Sequence, residues 1–364
     1  MEEPAAHGEG RSEEARADGT RASGRMRRRR PPFGRIVGAL FLAFAMLTVA
    51  WWLVGRVTAD SRRLEIHRVA ESATIEGSGE EPRTLRILTW NIAHGRGDVG
   101  PGLFRNFRGG DDETRLLRLV RIARVIRDAD PDVVVLNEVD FRSSWSGGID
   151  QAEILARATG FEVWVEQRNY DLQLPFGVLE FGNALLSSIP VDTAVWVEIP
   201  PHRRIEAVTV GAKAATLVRL DGPGGPLAVI PVHLEVRGAE TRLGAADVFQ
   251  ELRGRERAPL ILAGDFNSAP PAWPQTGDRE GRASVGSSAV GELLDEGWRS
   301  LRARRGPGPG QWTYPVPRSD RAIDWVLVEP PLRVLEARVV EGTAGLSDHA
   351  PVLAVVRVSH APDA

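Results

Sequence analysis

Five short apolar runs, distributed over more than 250 residues, border polar or acidic residues that could line a common site. Each run is rich in Val, Ile and Leu and has the length of a strand. The bordering residues are Trp90-Asn91, Asn137-Glu138, Val232-His233, Gly264-Asp265-Phe266-Asn267 and Ser347-Asp348-His349. Apolar runs of this length are typical of buried strands, and loops at strand ends carry reactive groups. The pattern therefore predicts a sheet-based fold that gathers polar side chains where its strands end.

Helical and strand patterns alternate from about residue 84 onward. Helical spacing of apolar residues predicts helices over 111–128, 150–158 and 240–252. Strand patterns occur at 84–90, 132–136, 161–166, 182–188, 193–198, 205–210, 213–220, 226–233, 259–263, 322–328, 333–340 and 351–357. Mixed strands with helices beside them predict two sheets packed face to face and covered outside by helices, a layered α/β domain.

The length of 364 residues and a hydrophobic content of 42% allow one large domain with a substantial core. We expect this single domain to span 84–358, followed by a short tail, 359–364. The absence of cysteine from the sequence excludes disulfides, a thiolate nucleophile and a cysteine-ligated zinc site. Lys213 is the only lysine, which we interpret as genome composition rather than function.

An uncharged apolar stretch from Ile36 to Gly55 is long enough to cross a bilayer as a helix. An arginine cluster precedes it: Arg25, Arg27, Arg28, Arg29, Arg30 and Arg35. The positive-inside rule predicts a single-pass protein with residues 1–35 as a disordered basic cytoplasmic tail, and with the large domain outside the cytoplasm. The alternative is a cleaved signal peptide, although the stretch exceeds a usual h-region. Residues 56–83 are expected to form a linker.

The charge balance gives a weak indication about partners. Nine arginines and six acids in residues 1–35 leave a net charge of −6 on the remainder of the chain. A nuclease for long duplexes usually presents a basic face, because phosphate contacts dominate its affinity. The balance therefore argues weakly against chromosomal DNA as the substrate.

The bordering residues include the groups that phosphate ester cleavage requires: metal-binding oxygens, a base for water, and hydrogen-bond donors for the phosphate. Glu138 leaves the core at a strand end, although a solvated acid is an alternative interpretation. In GDFN, Asp265 and Asn267 point the same way, or else they form an Asx turn. His349 needs a group that orients it, and Asp324, between apolar neighbours, is its natural partner.

His233, at the end of LAVIPVHL, would in isolation be an ordinary half-buried strand histidine. The other motifs of the sequence change this interpretation. The motifs TWN, NE, VHL, GDFN, ID before an aromatic residue, and SDH follow one another along the chain. In this order they resemble the endonuclease/exonuclease/phosphatase superfamily, related to DNase I and neutral sphingomyelinases. The resemblance covers about Thr84 to Val358 and implies a four-layer α/β sandwich.

The resemblance also implies a metal site. It makes Glu138 the main Mg²⁺ ligand, with Asn91 and Asp348 as further ligands or supporting groups. Mg²⁺ prefers carboxylate, amide and water oxygens, and Mn²⁺ is a possible substitute.

For the reacting groups, the resemblance implies that His349, oriented by Asp324, acts as a general base or contacts the phosphate. Asp265 would align the nucleophilic water, and Asn267 and His233 would bind the scissile phosphate. Which of Asp265 and His349 removes the proton is left open.

Three further residues bear on substrate. Asn183 matches a family position and is a candidate substrate-binding residue. Arg96, in the loop after Asn91, could contact a head group, or could be part of a solvated loop. DNase-like members often carry a basic residue two positions after the metal glutamate, whereas this chain has Asp140, which we expect to disfavour a polyanionic backbone.

The first functional hypothesis is a membrane-anchored, Mg²⁺-dependent phosphoesterase that acts on phosphodiesters or phosphomonoesters, including those of lipid head groups. The alternatives are an extracytoplasmic nuclease and a catalytically inactive domain that binds a partner at the membrane. No protein partner is evident from the sequence.

Overall fold

A computed structural model describes residues 33–58, 64–69, 84–99, 105–174, 177–209, 211–222, 224–274 and 288–358. The predicted tail at 359–364, residues 1–32 of the predicted cytoplasmic tail and most of the predicted linker lie outside these ranges. The chain divides into two units, residues 1–47 and residues 48–364.

One long apolar helix, α1 (Phe33–Thr58), contains the predicted membrane segment. Its portion Phe33–Gly55 is long and apolar enough to span a membrane. Helix α1 is thus a candidate membrane span near the N-terminus.

The remaining helices and the strands follow in chain order. The helices are α2 (Asp112–Ala129), α3 (Gln151–Thr159), α4 (Arg204–Thr209), α5 (Ala239–Arg255), α6 (Ala289–Asp295) and α7 (Leu301–Arg305). The first six strands are β1 (Leu64–Arg68), β2 (Thr84–Asn91), β3 (Val133–Asp140), β4 (Val163–Leu174), β5 (Gly177–Ser187) and β6 (Val191–Val197). The other strands are β7 (Ala215–Gly222), β8 (Gly225–His233), β9 (Leu260–Asp265), β10 (Asp324–Val328), β11 (Arg333–Val339) and β12 (Val352–Arg357).

Within the described residues, the strands form two mixed sheets. The seven-stranded sheet has the order β1-β4-β5-β3-β2-β12-β11, and the five-stranded sheet has the order β10-β9-β8-β7-β6. Each sheet contains one parallel pair, β2 with β3 and β8 with β9. The other pairs that the structure describes are antiparallel.

Three apolar cores separate the layers, because alternate residues of a strand point to opposite faces of its sheet. In β2, Leu85 and Ile87 belong to the core between the two sheets, whereas Leu88 and Trp90 pack with α2 and α3. Helices α5 and α6 cover the outer face of the five-stranded sheet. The predicted four-layer α/β sandwich is confirmed.

The strand directions bring the predicted polar residues to one end of each sheet. The carboxyl ends of a parallel pair lie side by side, so Asn91 is adjacent to Asn137, and His233 is adjacent to Asp265. Antiparallel neighbours begin where these strands end. Strand β10 therefore places Asp324 opposite Asp265.

Two local predictions were wrong. The run at 205–210, predicted as a strand, lies mostly in helix α4, where the side chain of Ile205 is 65% exposed. A short apolar run does not distinguish a strand from a helix by periodicity alone. The predicted linker contains strand β1, which pairs with β4 at the sheet edge and packs Leu64 and Ile66 against the core between the sheets.

Candidate active site

Asp265 lies at the end of β9, at the centre of the site. Gly264 allows this strand to approach its parallel neighbour, because a Cβ at this φ of +150° would lie 1.8 Å from the carbonyl oxygen of Val232. Oδ1 of Asp265 accepts a hydrogen bond from the backbone N–H of Asn267 at 2.8 Å. The Asx turn considered from the sequence is therefore present, and Oδ2 remains available to the site.

Asp324 and His349 form the predicted pair. Nδ1 of His349 lies 3.1 Å from Oδ1 and 3.0 Å from Oδ2 of Asp324. The indole N–H of Trp90 donates to the carbonyl oxygen of His349 at 2.9 Å, and the Tyr314 ring lies 4.7 Å from the imidazole. These contacts orient the imidazole so that Nε2 faces Asp265 at 3.9 Å from Oδ2.

The same oxygen of Asp265 also faces other predicted site residues. Nε2 of His233 lies 3.8 Å from Oδ2, and the side-chain amide of Asn91 donates to it at 3.2 Å. Asn267 is also buried beside this group, and its amide donates to the carbonyl oxygen of Leu234 at 3.0 Å. The structure thus brings together side chains from both sheets.

Burial and neighbouring charges give these groups different protonation states. Burial raises the pKa of Asp265 to about 6, with Asp324 acting in the same direction and His349 opposing the shift. Burial lowers the pKa of His349, but the carboxylate and hydrogen bond of Asp324 outweigh it and raise the pKa to about 10. Burial and the charge of Lys213 hold the pKa of His233 well below its usual range. At neutral pH, His349 is therefore a cation and His233 is neutral.

Glu138 and Asp348 form a second group of carboxylates. Glu138 occupies a β-bulge with a positive φ of 52°, and the bulge turns its side chain out of the alternating strand pattern. The Arg96 guanidinium bridges the two acids, with Nη1 3.0 Å from Glu138 Oε2 and Nη2 3.0 Å from Asp348 Oδ2. Burial alone would raise the pKa of Glu138, but Arg96 and His94 hold it well below its usual range.

The expectation that Asp140 repels a polyanionic substrate assumes that its carboxylate is exposed at the site, and this assumption was wrong. Asp140 is fully buried, and its carboxylate contacts Nδ1 of His94 at 2.8 Å and accepts from the indole N–H of Trp145 at 2.9 Å. Nε2 of His94 in turn lies 3.3 Å from Glu138. Asp140 therefore orients a histidine beside the candidate metal glutamate and does not present a negative charge to substrate.

Asn183 and Arg96 occupy positions that do not support their prediction as substrate-binding residues. Asn183 is fully buried, and it accepts a hydrogen bond from the Asn137 amide at 2.9 Å. The Arg96 side chain is 1% exposed and is paired with the two acids. Asn137, which the sequence indicated only as part of a motif, accepts from the backbone N–H of Asp265 at 3.0 Å and thereby links the two sheets.

Two sets of residues at this site could bind a cation. Asp265, Asp324 and His349 place ligand atoms within 4.8 Å of one another. However, His349 is protonated and already bonded to Asp324, so this set is poorly suited to a cation. Glu138 and Asp348 fit better, because Glu138 is ionised and Oδ1 of Asp348 is buried without a hydrogen-bond partner among the described residues.

A further group, Glu65, His67 and Glu166, also places ligand atoms within 4.8 Å of one another, on β1 and β4. Arg168 pairs with Glu166 at 3.2 Å and lies 3.7 Å from Glu65. This group already contains a neutralising cation.

A cavity of about 960 Å³ opens beside Glu138 and His233. Its lining contains several basic side chains and one pair of stacked aromatic rings: Arg105, Arg203, Arg237, Lys213, Tyr170 and Phe181. Sequence reasoning gave Lys213 no role. Its being the only lysine in an arginine-rich chain was the signal that could have identified it.

The sequence profile of the Endonuclease/Exonuclease/phosphatase family matches residues 88–349, more than half of the chain. The chain belongs to this family. The predicted resemblance is therefore confirmed. Enzymes of this superfamily are generally phosphodiesterases or nucleases that use a divalent metal ion, and the site described above contains groups that could bind one. No curated protein matches the chain significantly.

Solved structures support the same fold. An endonuclease/exonuclease/phosphatase from Beutenbergia cavernae DSM 12333 is 26% identical, with a TM-score of 0.58, and the match covers 78% of this chain and 73% of that one. A family member from Bacteroides vulgatus is 17% identical, with a TM-score of 0.53 and coverages of 76% and 99%. The human nocturnin catalytic domain with bound sulfate is 16% identical, with a TM-score of 0.51 and coverages of 83% and 97%.

Proposed function

We propose that this protein is a membrane-anchored phosphoesterase that uses a divalent ion, Mg²⁺ or Mn²⁺, to hydrolyse phosphodiesters or phosphomonoesters. One observation carries the proposal. A buried carboxylate, Asp265, has two imidazoles within 3.9 Å at the strand ends from which Glu138 also projects. A base, a cationic hydrogen-bond donor and metal-binding oxygens in one site are what hydrolysis of a phosphate ester requires.

Asp265 is the general base in this proposal. A carboxylate with a pKa of about 6 is ionised at neutral pH and remains basic enough to accept a proton from water. His349, with a pKa of about 10, is already protonated and cannot act as the base. As water attacks phosphorus, its proton passes to Asp265, and the phosphorus–oxygen bond to the leaving group breaks. The imidazolium donates to a phosphate oxygen and stabilises the charge that develops there.

His233 and Asn267 complete the phosphate contacts. His233 is neutral, so Nε2 and Nδ1 provide one donor and one acceptor. Asn267 has a positive φ of 47°, a backbone conformation that asparagine tolerates better than most residues. We assign both residues to orienting the phosphate opposite Asp265.

Glu138 and Asp348 are the proposed metal ligands, with Asn91 beside them. A divalent ion at these carboxylates would neutralise negative charge on the phosphate group. Asn91 has a further role, because its side-chain Nδ2 donates to Asp265 while its side-chain oxygen Oδ1 accepts from the backbone N–H of Ala93 at 3.0 Å. Asn91 is therefore better suited to positioning the base than to direct metal binding.

The proposed substrate is an anionic phosphate ester, and lipid head groups are the first candidate because helix α1 would keep the enzyme at a membrane. Nucleic acid is the second candidate. The burial of Asp140 removes one argument against it, and the basic side chains of the cavity attract any anion.

The test is hydrolysis by the full-length protein in detergent micelles, with Mg²⁺ or EDTA, of phospholipid vesicles, plasmid DNA, RNA and p-nitrophenyl phosphate esters. Glu138→Gln should lower the activity at a fixed, subsaturating Mg²⁺ concentration. Glu251→Gln, on an exposed face of α5, makes the same chemical change as a matched control and should retain it. Absence of hydrolysis of all substrates by the folded wild-type protein would instead favour the inactive binding domain.

We also propose that the N-terminus is cytoplasmic and the catalytic domain extracytoplasmic. Because the sequence lacks cysteine, one introduced cysteine reports its own location without background. Arg124→Cys, at a side chain that is 77% exposed, should react with an impermeant maleimide in intact cells. Ser23→Cys, in the predicted cytoplasmic tail, should react only after lysis. The reverse labelling pattern would refute this orientation, and release of the domain from washed membranes would indicate a cleaved signal peptide.

A further inference from the structure

Arg96 is a buried cation that contacts both of the carboxylates assigned to the metal. Its side chain is 1% exposed, and its two terminal nitrogens lie 3.0 Å from Glu138 Oε2 and 3.0 Å from Asp348 Oδ2. A guanidinium stays protonated throughout the physiological pH range, and its planar fork suits two acceptors at once. A permanent positive charge is therefore part of this carboxylate group.

The backbone fixes the start of this side chain. Ala93 and His94 have positive φ values of 51° and 55°, and the backbone N–H of Arg96 donates to the carbonyl oxygen of Ala93 at 3.0 Å. A Cβ on Gly109 would lie 2.7 Å from the Cα of Arg96, so the loop packs directly against it. Gly97 forms a bridge with Ser347, next to Asp348. Arg96 is consequently tied to the segment that carries one of its two acceptors.

The two acids each retain one oxygen that Arg96 does not use. Arg96 and His94 both contact Oε2 of Glu138, and Glu138 lines the cavity. On Asp348, Arg96 contacts Oδ2, whereas Oδ1 has no hydrogen-bond partner among the described residues. Each acid therefore keeps an oxygen that could bind a metal ion without loss of its bond to the guanidinium.

We propose that Arg96 takes the place of a second cation, so that this site binds a single divalent ion. The inference rests on the proposed assignment of the metal to Glu138 and Asp348. With Arg96 present, these carboxylates carry one net negative charge, and one divalent ion converts it to one net positive charge. A second divalent ion would add two more positive charges in a buried region, where repulsion is screened weakly.

The experiment counts bound ions in the full-length protein in detergent, using Mn²⁺ as the probe. Electron paramagnetic resonance of free Mn²⁺ gives the bound number by difference and requires no substrate. Three variants are compared with the wild type. Arg96→Met removes the positive charge, Arg96→Lys keeps the charge without the planar guanidinium, and Glu138→Gln removes a proposed ligand. Circular dichroism and thermal melting establish that each variant is folded.

We expect one bound Mn²⁺ in the wild type, two in Arg96→Met and one in Arg96→Lys. Glu138→Gln removes a proposed ligand and should weaken binding by at least about 10-fold, because loss of a group that only supports a ligand already costs about 10- to 100-fold. Two bound ions in the wild type would overturn the inference, and this result remains available if Arg96→Met does not fold. One ion in Arg96→Met, bound more tightly than in the wild type, would also overturn it, because the guanidinium would then compete for the same position.

Failure of the proposed function gives a different result. If the wild type binds no Mn²⁺ and Glu138→Gln changes nothing, the metal assignment itself is wrong, and this inference falls with it. If the wild type binds one ion through Glu138 and Arg96→Met also binds one, only the role of Arg96 is wrong.

Discussion

Asp324→Asn tests whether a carboxylate keeps His349 protonated during the reaction. The substitution preserves the shape of the side chain and removes its charge. In the wild type, Asp324, aided by the charges of Asp265 and Asp348, raises the pKa of His349 from an ordinary value of 6.5 to about 10 despite burial. That difference corresponds to about 5 kcal/mol in favour of the imidazolium. Without the carboxylate, we expect the pKa of His349 to fall to about 6.5, because burial, the largest single cause, is then opposed only by Asp265 and Asp348.

The expected loss of kcat follows from the protonated fraction of His349. At pH 8 the wild-type imidazole is about 99% protonated with a pKa of about 10, whereas a pKa of about 6.5 leaves about 3%. If the imidazolium is the active form, kcat of Asp324→Asn should be about 30-fold below that of the wild type at pH 8, and about 4-fold below at pH 7. Any loss of imidazole orientation would lower kcat of Asp324→Asn by the same factor at both pH values. The ratio of the wild-type kcat to the Asp324→Asn kcat should thus grow with pH.

The assay is kcat against pH from about 5.5 to 9.5 for both proteins, on whichever substrate the panel identifies. Nuclear magnetic resonance of labelled histidine, assigned with His349→Gln, measures the pKa directly. A ratio of rates that does not change with pH would refute the proposed role of the imidazolium. A wild-type pKa of His349 near 6.5 would refute the electrostatic reasoning itself.

The same pair predicts a dependence of stability on pH. The folded-state pKa of His349 is raised above its unfolded value, so its stabilising contribution is complete below about pH 6.5 and is lost as the pH rises through about 10. The difference in unfolding free energy between the wild type and Asp324→Asn should therefore be larger at pH 6 than at pH 10. Urea denaturation at these two pH values measures it, and an equal difference at both would contradict the assignment.

Three further predictions concern other residues. Asp265→Asn should lower kcat by about 10²- to 10⁴-fold and remove the rise in rate near pH 6 that the wild-type pH profile should show. Glu138→Gln should raise the Mg²⁺ concentration needed for half-maximal activity by at least about 10-fold, measured by titration after EDTA treatment. Gly264→Ala should destabilise the fold by about 3 kcal/mol or more, because the new Cβ would lie 1.8 Å from a carbonyl oxygen. Gly254→Ala, with open space around it in α5, is the thermal-melting control and should be neutral or stabilising.

The layers and most of the strands could be predicted because the local pattern and the tertiary structure agree. In β3, the run VVVL is buried on both faces, as a continuous apolar pattern indicates. Asp324 and His349 could be paired in advance because a buried carboxylate needs a partner. The failure at α4 has the opposite cause, because Ile205 is exposed and its burial therefore does not select a secondary structure.

The contacts made by Arg96, His94 and Asp140 could not be predicted. They depend on backbone geometry that periodicity does not encode: the positive φ of His94 and the bulge at Glu138. From sequence, an arginine in a glycine-rich loop is most often solvated, and an acid after a strand is most often exposed. Both residues are buried here beside Glu138: Arg96 contacts its carboxylate, and Asp140 contacts His94, which lies 3.3 Å from the same carboxylate.

The hydrogen bonds to Asp265 explain why amides occur where the two sheets meet. Asn91 donates to its carboxylate, and Asn137 accepts from its backbone N–H, so both strands of the parallel pair β2–β3 fix the proposed base on β9. Both amides are fully buried and carry no charge. An arginine or lysine in place of Asn91 could also donate to Asp265, but its charge would lower the pKa of that carboxylate. Neither could replace Asn137, which must accept a hydrogen bond from the backbone N–H of Asp265. Neutral donors and acceptors therefore fix the position of the carboxylate and leave burial free to raise its pKa to about 6.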